Sequence, residues 1–317
     1  MTRELKLARP LVAAKDIADL LEMLTWMRPA GSAAEGEFVR KFVMPLGTTP
    51  DGYGNHWRII GKASPILWSC HTDTVHKQGG KQRLEYGDGF ITTPDGSCLG
   101  ADCGAGVWLM ARMIRAGIPG TYVFHREEEI GGMGSDFIAK ETPERLAGLK
   151  YAIAFDRKGT GDIITHQYGG RSASDDFAHS LAKCLDMGHL PNDGGTFTDT
   201  ANYTDLIAEC TNLSTGYGKA HSANEYLDVV YLSALLKRLL KADFSRLVCA
   251  RTPGEMDTYD GAAWWHGAPP KARSEPVLIG GLDTLEDIVY NNPQGVAEFL
   301  DACGYDADDL REYLQGV

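Results

Sequence analysis

Three short, largely apolar runs restrict the fold more than any other feature of the chain: ILWSC at 66–70, TYVFH at 121–125 and YAIAFD at 151–156. They read as buried strands. Between the first two, AGVWLMARMIRAGI at 105–118 has the pattern of a buried helix. Strands alternating with helices predict an α/β fold, a mostly parallel central sheet with helices on both faces. In such sheets, active groups collect at the carboxyl ends of the strands.

The rest of the chain extends this pattern. Leu11, Ile17, Leu20, Leu21 and Leu24 follow helical spacing, and Ser32 with Glu35 forms a capping-box pattern opening a second helix through Val43. Residues 57–60 and the stretch around DIITHQY at 162–168 read as strands, LEYGDGFITTPDG as a hairpin, and 174–185 as a helix; another runs through Leu240. A length of 317 residues suits one large domain with a small accessory module. We expect a main domain over 1–250, a linker over 251–276 that contains GAPPKARSEP, and a small acidic helical appendage over 277–317.

A formal charge of -12 opposes a phosphate-binding surface, so nucleic acid is not an expected partner. Seven cysteines, scattered from Cys70 to Cys303 with no CxxC pair, do not form a disulfide framework and fit a reducing cytoplasm. The amino-terminal stretch, broken by charges and Pro10, lacks the apolar core of a secretory signal. No segment approaches the roughly 20 apolar residues that span a bilayer, so no membrane partner is expected.

Candidate chemistry sits where the strands end. His71 follows ILWSC, with Asp73 two residues on, and Asp102 lies in the glycine-rich LGADCGAG. Glu127, Glu128 and Glu129 follow TYVFH, Asp156 ends YAIAFD, and His221 sits in STGYGKAHSANEYL. Each is ordinary alone: glycine-rich turns are common, and an acidic run is normally a solvated face. Together, His71, Asp102, Glu129, Asp156 and His221 converge on one rim. Imidazoles and carboxylates without a cysteine cluster suit zinc, with manganese or cobalt as other candidates, and five such donors with one bridging carboxylate serve two divalent ions.

In this order, over residues 10 to 245, the motifs resemble the co-catalytic di-zinc peptidases, the superfamily that includes peptidase T, carboxypeptidase G, aminoacylases and related zinc aminopeptidases. The resemblance implies that His71 and Asp156 hold one ion, that Glu129 and His221 hold the other, and that Asp102 bridges them. It places Glu128 as general base to a metal-bridging hydroxide that attacks a peptide or amide bond, and Asp73 as the carboxylate orienting His71. The family's bridging Asp is usually followed by Asp or Asn through a cis peptide, whereas here Cys103 follows. Cys103 is then either a small substitute or a thiol close to the ions.

Only 64 residues separate Asp156 from His221, too few for the lid domain of many relatives. The layout implied is that of lidless aminopeptidases, with a small peptide or amide as substrate and homo-oligomerisation compatible with it. Local loops must then supply specificity: Arg171 to hold a carboxylate, Asp199 to meet an amine and Tyr217 to stabilise an oxyanion. Their ordinary alternatives are a surface salt bridge, a turn cap and a core aromatic. An exopeptidase is the leading function; a deacylase of a non-peptide amide and a metal-free binding protein on a hydrolase fold are the alternatives.

Overall fold

Alternation of side chains along the strands decides how the layers form. The computed structural model describes residues 12–61 and 64–255, together with Val296 and Leu300. Eight strands build the central sheet: β1 (Thr49–Pro50), β2 (His56–Ile60), β3 (Ile66–His71), β4 (Gly120–His125), β5 (Tyr151–Arg157), β6 (Asp162–Ile164), β7 (Leu190–Asn192) and β8 (Glu209–Ser214). Their spatial order is β7-β6-β8-β5-β3-β4-β2-β1. The middle strands β8, β5, β3 and β4 run parallel, as does the β6–β7 pair; β2 on β4, β1 on β2 and β6 on β8 are antiparallel.

Successive residues on a strand face opposite sides of its sheet. Trp68, Cys70, Tyr122, Phe124, Ile153 and Phe155 therefore enter the larger core, while Leu67, Val123 and Ala152 enter a smaller one on the other face. Against the larger core pack helices α1 (Ala18–Leu24), α3 (Ala101–Arg115), α5 (Asp175–Leu185) and α6 (Val229–Leu239). Ile138 of α4 (Met133–Glu141) closes the smaller core. The expected α/β sheet covered on both faces is what the chain forms.

Two details differ from the sequence expectation. The second helix, α2 (Ala33–Phe38), is capped by Ser32, whose Oγ accepts from Glu35 N at 3.1 Å, and it continues as a wider π-turn over Val39–Val43. The Glu35 carboxylate accepts from Gly31 N (2.7 Å), one residue ahead of the cap. The expected strand over 162–168 breaks at Thr165, and His166–Gln167 pair instead with Gly170–Arg171 in a hairpin.

Glycine is required where α3 meets the sheet. A Cβ on Gly106 would stand 2.4 Å from the Phe155 carbonyl oxygen and 2.5 Å from Cys103 Sγ. Only a residue without a side chain lets α3 lie so close to β5. The chain divides into one compact unit ending at Glu255 and a second from Met256. Residues 251–255 belong to the first, Arg251 donating to Ala208 O (2.9 Å) and Ser172 O (3.0 Å). The remainder of the expected linker, and the appendage apart from Val296 and Leu300, lie outside the described residues.

Candidate metal centre

Parallel strand ends deliver the donors to one edge. His71 closes β3 in register with His125 at the end of β4, and Ser69 pairs with Ala154 two residues before Asp156 on β5. Glu128 and Glu129 occupy the tight turn after β4, where Gly131 N and Gly132 N both donate to Glu128 O (3.0 and 2.9 Å). Asp102 lies at the start of α3 with non-helical backbone angles, and its peptide bond to Cys103 is cis. His221 adopts a left-handed backbone (φ 64°) in the loop between strands Tyr217–Gly218 and Tyr226–Asp228.

These five side chains meet around Asp102. His71 Nε2 lies 3.1 Å from Asp102 Oδ1 and 3.3 Å from Asp156 Oδ1. His221 Nε2 lies 3.3 Å from Asp102 Oδ2 and 3.2 Å from Glu129 Oε2. One carboxylate thus has an imidazole on each oxygen, each imidazole also facing a second carboxylate.

Asp73 does more than orient an imidazole. Its Oδ1 is 3.4 Å from His71 Nδ1, and its two oxygens accept the backbone N–H groups of Glu128 (3.2 Å) and Glu129 (3.1 Å). A single buried carboxylate therefore fixes the His71 ring and the glutamate turn together. Glu127 turns away, with a left-handed backbone, an ion pair to Arg126 (3.5 Å) and a hydrogen bond from the Tyr53 hydroxyl.

Three residues absent from the expected site also hold the cluster in place. Thr198 Oγ1 donates to Asp156 Oδ2 at 2.7 Å, and Asn212 Oδ1 accepts from Asp156 N at 2.9 Å. Glu225, only 1% exposed, accepts four backbone N–H groups on the loop that carries Asp102: Leu99 (2.8 Å), Gly100 (3.0 Å), Ala101 (2.9 Å) and Asp102 (3.2 Å). It also accepts from the Cys98 thiol at 2.8 Å. The Asn-Glu-Tyr after His221 was the available signal, but the partners lie more than 120 residues upstream. Glu225→Gln turns an amide NH2 toward these donors, and metal affinity is expected to fall about 10–100-fold, measurable by competition with a chromogenic chelator.

Electrostatics follow from crowding acids around two imidazoles. Burial pushes Asp102 up, but His221 and His71 outweigh it and hold its carboxyl well below the usual range. Burial opposes charge on His221, yet Asp102 and Glu129 raise it to about 12; His71 is likewise held well above its ordinary value. Burial first, then the charges of Asp156, Glu129 and Asp199, lift Glu128 well above an ordinary carboxyl. Burial and the neighbouring Asp102 raise Asp156 to about 7.

This donor set fits divalent cations. Ligand atoms of His71, Asp102 and Glu129 all lie within 4.8 Å of one another, as do those of His71, Cys103 and Asp156. Glu129 Oε1 is buried without a hydrogen-bond partner, and a buried carboxylate oxygen left so is costly unless a cation takes it up. The Cys103 thiol is buried at the same place and donates to Phe155 O at 3.0 Å.

The three expected substrate residues occupy different settings. Asp199 is 1% exposed, its Oδ2 lying 3.2 Å from His125 Nδ1. The Tyr217 hydroxyl donates to Asp156 O at 2.7 Å and to Asp102 Oδ2 at 3.1 Å, directed into the cluster itself. Arg171 meets Asp175 in the first turn of α5 at 3.0 Å.

The sequence matches no protein-family model and no curated protein. Solved structures do match. Aminopeptidase PepT from Bacillus cereus is 16% identical, with a TM-score of 0.57 over 71% of this chain and 96% of that one. A tripeptidase from Staphylococcus aureus is 16% identical, with a TM-score of 0.56 over 73% and 98%. The Pyrococcus horikoshii TET1 peptidase, which assembles into a tetrahedron or a large octahedral shell, is 16% identical, with a TM-score of 0.54 over 72% and 99%. The chain thus has the fold of these peptidases across nearly their whole length.

Proposed function

We propose that this protein is a metal-dependent hydrolase of peptide or amide bonds, acting as an aminopeptidase-like exopeptidase on small substrates. The observation that carries the reading is the convergence of His71, Asp102, Glu129, Asp156 and His221 on one point, with Glu128 in the adjoining turn. The peptidase fold of PepT and the tripeptidase supports it.

His71 and Asp156 would hold one ion, Glu129 and His221 the other, with Asp102 between them. Two zinc ions held there would supply Lewis-acid polarisation of a carbonyl and would acidify a water. Glu128 accepts the proton that water gives up and returns it to the departing amine nitrogen. Asp73 keeps Glu128 in reach by holding its backbone N–H, and Tyr217 and Thr198 fix the carboxylates of Asp102 and Asp156.

The shell-forming TET1 neighbour supports self-association as part of this reading. The six cysteines among the described residues are all free, in keeping with the cytoplasm as the expected compartment. No helix among the described residues is long and apolar enough to cross a membrane.

The reading is tested by offering the zinc-loaded protein aminoacyl amides and N-acyl amino acids side by side. Release of amino acid from the amides, abolished by a chelator, is the expected result. Cleavage confined to the N-acyl compounds would assign the protein as a deacylase instead.

A further inference from the structure

Beside the acidic cluster lies an apolar surface that the chemistry above does not use. Phe197 immediately precedes Thr198, whose hydroxyl holds Asp156 at 2.7 Å. Its ring lies on Gly132, in the turn that carries Glu128: a Cβ on Gly132 would stand 2.2 Å from Phe197 Cζ. Glycine is needed here both for that contact and for a left-handed backbone (φ 65°). The ring of Tyr168 packs on the ring of Phe197, centroids 5.0 Å apart and tilted by 39°.

The pair is fixed by its backbone, since Tyr168 N donates to Thr196 O at 2.8 Å. Tyr168 is nonetheless 72% exposed, and Ile130 and Met133, flanking the two glycines of the same turn, are 60% and 44% exposed. Large apolar side chains left open in one neighbourhood mark a binding surface more often than scattered ones do. Burial first, then the neighbouring carboxylates of Glu128 and Asp136, raise the Tyr168 phenol.

We infer that Tyr168 and Phe197, with the Ile130–Met133 turn, form a side-chain subsite that selects an apolar residue next to the scissile amide. The placement names the occupant. The rings bridge the turn of Glu128 and the support of Asp156, so a substrate whose carbonyl lies at the cluster projects its neighbouring side chain onto them. An aliphatic or aromatic side chain removes this surface from water, whereas an acidic one loses its hydration beside the carboxylates of Glu128 and Asp136. The inference rests on the hydrolytic reading and adds the substrate class: leucine- or phenylalanine-like residues ahead of glycine or glutamate.

The test uses the full-length, zinc-loaded protein with leucine, phenylalanine, glycine, glutamate and lysine amides and the matching N-acetyl amino acids. A kcat/KM for leucine and phenylalanine compounds at least about tenfold above the glycine and glutamate compounds is expected. Tyr168→Ser and Phe197→Ala should each lower the leucine-to-glycine ratio about tenfold. Because Phe197 supports the Gly132 turn, the exposed Tyr168 position keeps the test valid if Phe197→Ala fails to fold.

Calorimetric titration with L-leucine and glycine, the free acids that either reaction releases, gives an independent readout; leucine should bind more tightly, and Tyr168→Ser should erase the difference. Cleavage without apolar preference, or a preference unchanged in Tyr168→Ser, overturns the subsite while leaving the hydrolase intact. Dissociation of an oligomer in Tyr168→Ser with selectivity unchanged assigns the rings to a second copy of the chain and likewise overturns it. No cleavage of any compound and no leucine binding removes both the subsite and the reading beneath it.

Discussion

Glu128→Gln is expected to lower kcat by about 10²–10⁴ while both metal equivalents stay bound. The substitution keeps size and shape but removes the only function assigned to this side chain, carrying a proton from water to the leaving amine. Its backbone N–H still reaches Asp73 Oδ1 (3.2 Å), so the turn and the neighbouring Glu129 should keep their places. Burial and the charges of Asp156, Glu129 and Asp199 raise the Glu128 carboxyl. Glutamine fills the same volume, so the fold should stay intact, and a thermal melt checks this. Single-turnover kinetics with metal analysis of the same sample decide the matter: retained metal with turnover near wild type would remove Glu128 from the mechanism.

Asp102→Ala should have the opposite profile, losing metal and activity together. Asp102 faces both His71 (3.1 Å) and His221 (3.3 Å), so its removal takes one donor from each half of the centre at once. It also leaves the Tyr217 hydroxyl without one of its two acceptors. Asp156→Ala, by comparison, strips a donor only from the His71 side and should leave the Glu129–His221 half able to hold an ion. The expected order of bound metal is wild type, then Asp156→Ala, then Asp102→Ala.

The meeting of His71, Glu129 and Asp156 was legible because they stand at or just past the ends of strands whose burial is written in consecutive apolar residues. ILWSC, TYVFH and YAIAFD became β3, β4 and β5 and carried His71, the Glu128–Glu129 turn and Asp156 to one edge. What stayed hidden depends on partners distant in sequence. Strand β8, ECTNLS, is fully buried yet polar, and the chain tolerates this because its groups are paired. Thr211 Oγ1 donates to Ile164 O (2.6 Å), Ser214 Oγ donates to Lys158 O (2.9 Å), and Glu209 accepts from Ala250 N (2.8 Å) and Arg251 N (3.0 Å).

Glu225 and Thr198 were hidden for the same reason: a polar residue in a loop reads as solvated until the backbone groups it serves come into view. Tyr217 and Asp199 were selected as substrate contacts because their segment lay in the right interval. Their side chains turned out to be buried against Asp102, Asp156 and His125, where local sequence carries no sign of direction. Asp73 was recognised through its spacing from His71, but its grip on the Glu128–Glu129 backbone required the β3–β4 register.

If His71, Asp102, Glu129, Asp156 and His221 form a two-ion centre that drives hydrolysis, zinc titration of chelator-stripped protein, with bound metal and amide cleavage measured at every point, should reveal it. Activity is expected to rise with uptake to two equivalents per chain, and Asp102→Ala to show neither uptake nor activity. Hydrolysis that persists in the stripped protein, or tight zinc uptake that Asp102→Ala leaves unchanged, would contradict such a centre.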